Sequence, residues 1–160
     1  RSGTSGEAEK ILREKSRWIL KHWGRFERLR HLQRDTPHEA AGEMTRNLRI
    51  MAEPRVRLRV EGLASKHGYK VSQISIRDQK TRWGSCALGG RVSLNWRLGA
   101  APARILDYVI CHELAHIDHP NHSNRFWRRV EELDPCYRDS RRWLKENGDI
   151  LRAAPWTINL

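Results

Sequence analysis

The feature that most constrains this chain is the pentapeptide HELAH, His112 to His116, set in the run YVICHELAHIDHPNHSNRFW from Tyr108 to Trp127. On a helix its two histidines, at i and i+4, stand one turn apart on one face, where both imidazoles can reach a single metal ion. Glu113 falls beside them, next to where a metal-held water would sit. Zinc suits such a pair. It prefers imidazole nitrogen, has no redox chemistry and, with one position left open, lowers the pKa of a bound water to near ~7. Ile105, Leu106, Tyr108, Val109, Ile110, Leu114 and Ala115 make the same segment apolar on most sides, which marks a buried helix. Histidine and glutamate are costly in such surroundings unless something binds them.

Two imidazoles do not make a tight catalytic site, so a third ligand is needed. His122 lies six residues after His116, a spacing that fits a helix end, a turn and a return to the metal. Pro120 stops helix propagation and Asn121 tolerates a left-handed backbone, so 117–121 can make the turn. His119, Glu131 and Glu132 are the rival third ligands, the glutamates because related sites draw one from the following helix.

The ordered motifs IRDQKTRWGSC (Ile76 to Cys86), VSLNWRL (Val92 to Leu98), AP (Ala101, Pro102), YVICHELAH (Tyr108 to His116), NHSNRFW (Asn121 to Trp127), P-x-Y (Pro135, Tyr137) and RRWL (Arg141 to Leu144) resemble the YgjP-like zinc metallopeptidases, relatives of the SprT-like proteases in the zincin superfamily. The resemblance runs over about residues 60 to 148. It implies one zinc ion per chain held by His112, His116 and His122, with Glu113 as general base. Such proteins often carry a β-rich segment between an early helix and the core; here that segment is missing, and the turn's usual glycine is replaced by His119.

At 160 residues the chain suits one domain able to bury roughly 70% of its unfolded surface. Residues 1–6, RSGTSG, read as an expression scar or frayed terminus, and 7–160 as a single metallopeptidase domain: a helical part over 7–68, a zincin core over 69–148 and a tail over 149–160 that docks through Trp156. No apolar run approaches the ~20 residues that cross a membrane, and no signal peptide is evident. Three cysteines without CxxC spacing (Cys86, Cys111, Cys136) predict a reduced, cytoplasmic protein in which each thiol is a small core residue.

Periodicity predicts an α+β fold with a small antiparallel or mixed sheet of about three strands packed against the HELAH helix and several further helices, and the resemblance implies that this fold is zincin-like. Residues 7–33 are helical in pattern, with Trp18 and Trp23 seating the segment on the core. Thr36, Pro37 and Glu39 form a capping box. A helix then runs to Lys66, bent near Pro54 and stopped by Gly68, with Leu58, Val60, Leu63 and Ala64 facing the core. Val71, Ile74 and Ile76 suggest one strand; 83–87 and 92–96 suggest a hairpin turning through Gly89 and Gly90. The hairpin edge is the place where a substrate backbone can add as a strand, although Trp83, Gly84 and Ser85 read equally well as a packed corner. Ser123 caps a helix through Leu133 with Phe126, Trp127 and Val130 inward. A last helix runs from Tyr137 to Asn147 and stops at Gly148, and Tyr137 reads either as a core tyrosine with its hydroxyl at the surface or as the donor of a hydrogen bond to an oxyanion near the zinc.

A formal charge of +12, clustered in Arg25/Arg28/Arg30, Arg55/Arg57/Arg59, Arg125/Arg128/Arg129 and Arg138/Arg141/Arg142, favours polyanionic partners. Besides a peptidase cutting polypeptides, on or off DNA, two other classes are therefore open. One is a basic nucleic-acid-binding module with a structural zinc, although such sites are closed by four protein ligands. The other is a metal-dependent nuclease, which would rely on carboxylate-bound magnesium.

Overall fold

A computed structural model describes residues 38–153 of the chain. Its contacts divide the chain into two compact units, Arg1–Met44 and Thr45–Leu160, and the account below concerns the second. The readings of Trp18, Trp23, the capping box at Thr36 and Trp156 fall outside the described residues. The elements are α1 (His38–Lys66), β1 (Gln73–Arg77), β2 (Gly84–Ala87), β3 (Arg91–Asn95), a 3₁₀ turn (Trp96–Ala100), α2 (Ala103–Asp118), α3 (Asn124–Leu133) and α4 (Tyr137–Ala153). This is an α+β fold with a three-stranded mixed sheet.

Helix α1 runs through Pro54 without a break. Its buried stripe is Ala52, Val56, Val60, Leu63 and Ala64, at steps of four, four, three and one, which keep one helical face. Leu58 lies off that stripe and is 72% exposed, so its expected core role is wrong. The helix ends as sequence predicts. Gly68 adopts φ +73°, its N–H donates to the Ser65 carbonyl and the Tyr69 N–H reaches back to Ala64, the pairing that satisfies the last orphan carbonyls. The chain passes from Lys66 to Gln73 without an intervening strand.

In the sheet the order is β1-β3-β2, with β1 parallel and β2 antiparallel to β3. Register aligns Ile74, Val92 and Cys86 in one row and Ile76, Leu94 and Gly84 in the next. Val71 precedes β1 rather than belonging to it. The two edges of this sheet differ. Arg57 and Arg49 of α1 donate to the Ile74 and Ile76 carbonyls (3.3 and 3.0 Å), capping the outer edge of β1. Among the described residues the outer edge of β2 has no strand beside it. The Asn95 N–H bonds the Trp83 carbonyl at 2.8 Å, and antiparallel alternation then turns the backbone groups of Gly84 and Cys86 outward.

Buried Asn95 fixes this corner. Its Nδ2 donates to the Gln79 carbonyl at 2.7 Å and its Oδ1 accepts from the Arg97 N–H at 3.0 Å, capping the 3₁₀ turn. Helix α4 does not stop at Gly148 but continues to Ala153. Gly148 lies inside that helix against Trp83, where an added Cβ would make only an ordinary 3.4 Å contact with the ring, and the Arg152 guanidinium lies 4.2 Å from the centre of that ring. The cysteines divide: Cys111 is buried, Cys86 half-buried and Cys136 exposed, and only the first is a core residue. Arg55, Arg57 and Arg59 also bond within the fold, to the Gly99 and Ile74 carbonyls and to Asp107.

Leu88, Gly89 and Gly90 join β2 to β3, and both glycines have positive φ (80° and 74°). At Gly89 a Cβ would meet nothing, whereas at Gly90 it would lie 2.5 Å from the Lys70 carbonyl oxygen. Gly89→Ala is expected to cost about 1 kcal/mol from backbone strain alone. Gly90→Ala should cost about 2 kcal/mol or more, because strain and collision add. Urea unfolding of both variants checks the order; equal losses would contradict it.

Candidate metal centre

Helix α2 is buried along Ile105, Leu106, Tyr108, Val109, Ile110, Cys111, Glu113, Leu114 and Ala115, and its C-terminal part carries the histidine pair. The end of the helix is held by Arg129 of α3, which donates to Asp118 (2.9 Å), Tyr69 (2.8 Å) and Glu132 (2.9 Å). His112 and His116 have ring centroids 5.1 Å apart. His122, on the connection between α2 and α3, returns to them, with its Nε2 3.1 Å from the Nε2 of His112. One nitrogen from each of the three rings lies within 4.8 Å of the others. Phe126, fully buried, underlies all three at centroid distances of 4.9, 4.5 and 4.7 Å.

The donor set fits a cation. The His119 carbonyl can only accept, so the 3.1 Å contact puts the proton of His116 on Nδ1 and leaves Nε2 its lone pair. Burial, aided by the neighbouring histidines and Arg141, pushes His112 down to about 3, so the ring is neutral. His122 is lowered by the same causes, burial first. The Nε2 atoms of His112 and His122, facing each other at 3.1 Å, suit a shared positive ion between them. The rivals stand elsewhere. His119 offers its carbonyl to His116, Glu131 pairs with Arg138 at 2.7 Å, and Glu132 with Arg129 at 2.9 Å.

Glu113 is 5% exposed, and burial pushes its carboxyl up to about 8 against the opposing charge of Arg82. Strand β2 lies directly over it: a Cβ on Gly84 would fall 2.6 Å from Oε1. A cleft of about 520 Å³ separates the 84–90 hairpin from α2, with Arg82, His112, Glu113, His116 and His122 in its lining. Gly84 and Ser85 line this cleft, while Trp83 packs on Gly148 and Arg152 instead. Tyr137 is not in that lining. It is buried with its ring stacked on Trp127 (5.7 Å, 21°), in a separate depression with Asn124, Arg128, Glu131 and Arg138. Sequence reasoning gave no role to Asn95, which ties Trp83 and the 3₁₀ turn together, and saw Trp127 only as core; its contact with His122 has no signal beyond the spacing of NHSNRFW.

Fold and histidine cluster together define a zincin-like metallopeptidase. The chain belongs to the YgjP-like family, whose metallopeptidase-domain model matches residues 29–147, further upstream than the motifs alone suggested. Among solved structures, the crystal structure of the metallopeptidase zymogen of Pyrococcus abyssi abylysin is similar, at 25% identity and a TM-score of 0.50, over 61% of this chain and 96% of that one. The curated proteins contain no match.

Because the backbone of β2 presses on Glu113, Gly84→Ala should displace the carboxylate and leave the imidazoles in place. The expected outcome is unchanged zinc content with peptidase activity lowered by about tenfold or more, since small misplacements of a reacting group are that costly. Metal analysis beside a casein assay reads both; full activity would mean that Glu113 tolerates the shift.

Proposed function

We propose that this protein is a zinc metallopeptidase that hydrolyses peptide bonds, with His112, His116 and His122 as metal ligands and Glu113 as general base. The observation that carries the reading is the convergence of three imidazole nitrogens beside a buried carboxyl group, under a strand edge that has no strand beside it among the described residues. Bound zinc supplies a Lewis acid for the peptide carbonyl and a water whose pKa falls to near ~7. The protein's own groups do the rest. Glu113, excluded from bulk solvent, takes a proton from the attacking water on a carboxylate oxygen and passes it to the departing amine. Its raised pKa belongs to the metal-free site; a divalent cation alongside favours the ionised form that accepts the proton. The outward N–H and C=O groups of Gly84 and Cys86 can pair with an extended substrate, which selects backbone conformation more than side chains.

Arg82 is exposed at the cleft, so its charge can hold the Glu113 carboxylate ionised or meet a substrate carbonyl as negative charge develops. Tyr137 remains a second candidate for that stabilisation, favoured only by its nearness to Trp127. No helix among the described residues is long and apolar enough to cross a membrane.

Glu113→Gln is expected to bind zinc normally and to hydrolyse unfolded casein on the order of 10²–10⁴ times more slowly. His116→Ala should lose the metal and, with it, thermal stability, because binding energy at a buried site is also folding energy. Wild-type protein with bound zinc that cuts no unfolded polypeptide, yet binds DNA with an affinity falling steeply with salt, would replace this reading by a basic binding module with a structural zinc.

A further inference from the structure

The three histidines are not held alike. His112 and His116 are fixed by α2, and His116 is further locked by the His119 carbonyl. His122 is exposed and sits on the connection between helices, where neither a helical backbone nor a hydrogen-bonded ring nitrogen outside the cluster sets its orientation. Beyond the other two histidines its ring meets Phe126, edge to face at 4.7 Å, and Trp127, which also lies 5.7 Å from the His112 ring. The indole lies face to face with the His122 ring at 5.7 Å and 26°. Trp127 is itself braced by α4: Tyr137 stacks on it at 5.7 Å and 21°, and the Arg141 guanidinium lies 4.5 Å from the centre of the indole. Tyr137 and Arg141 are one turn apart on the same face of α4. A continuous stack therefore runs from the last helix to the loop-borne histidine.

The geometry points to Trp127 as a positioning residue for the metal centre, holding the His122 ring in its ligating orientation, with Tyr137 acting through its ring as the backstop of the indole. An exposed loop histidine left free to rotate must lose its rotamer and loop freedom when metal binds. A stacked one has lost it already, and that difference appears as affinity. Partners that orient a metal ligand typically change affinity by about 10- to 100-fold when removed. The aromatic wall does here what a hydrogen bond does for His116. The inference rests on the metal site proposed above but is separable from it.

Zinc affinity is measured by competition with a chromophoric chelator, up to millimolar zinc, for wild type, Trp127→Leu, Trp127→Phe, His122→Ala and the double variant His122→Ala/Trp127→Leu. Trp127→Leu should bind about 10- to 100-fold more weakly, and Trp127→Phe, which keeps a flat ring, should recover most of the loss. In the His122→Ala background the tryptophan change should have no further effect, because its action passes through the missing ring. Tyr137→Phe should leave zinc affinity unchanged and Tyr137→Leu should lower it, which carries the test if Trp127→Leu does not fold. Equal losses in both backgrounds would reduce Trp127 to general packing and overturn the inference, as would unchanged affinity in Trp127→Leu. Wild-type protein that binds no zinc would instead bring down the metal site itself.

Discussion

A carboxyl group and two imidazoles on the most buried helix of the protein must be satisfied by something other than bulk water, and the arrangement around α2 follows from that demand. Glu113 is nearly inaccessible and His112 is neutral. The Nδ1 atom of His112 is buried without a hydrogen-bond partner, a state that costs about 1–3 kcal/mol for a neutral group. Apolar residues at these positions would make a more stable helix. The retained polar groups are therefore best explained by a ligand that favours them, and the third histidine, brought back by the loop, completes a nitrogen-donor set suited to zinc.

The same demand explains why the two sheet edges are treated differently. An uncovered strand edge is a liability, and β1 is protected by guanidinium groups that α1 directs at the Ile74 and Ile76 carbonyls. The edge of β2 has no such cover and opens on the cleft that contains Glu113. Gly84 is where these two facts meet. It continues the row of Ile76 and Leu94 on the sheet, and only the lack of a side chain lets that row approach Glu113 closely.

Much of this was legible from residue order. Short-range rules located the α2 pair, the Gly68 cap, the Gly89-Gly90 turn and the Ser123 cap, because spacing and local chemistry decide those features. The errors came where tertiary contacts decide. Gly148 reads as a helix stop, yet α4 continues through it to Ala153. Leu58 reads as core because it is leucine, yet the stripe through Ala52, Val56 and Val60 passes it by. The ring contact of Tyr137 with Trp127 is likewise invisible to any local pattern.

What links the metal centre to the rest of the molecule is mostly aromatic surface rather than charge. Phe126 touches all three imidazoles from below, and Trp127 covers His122 from the side, so two consecutive residues of α3 present different faces to the same cluster. Ser123 sets the start of that helix, with its Oγ accepting the Phe126 N–H at 3.4 Å, directly after His122. Loop ligand, cap and aromatic pair thus form one rigid unit within six residues. Rings are suited to this work because they bury large area with few rotatable bonds and leave the ligand nitrogens free for the ion.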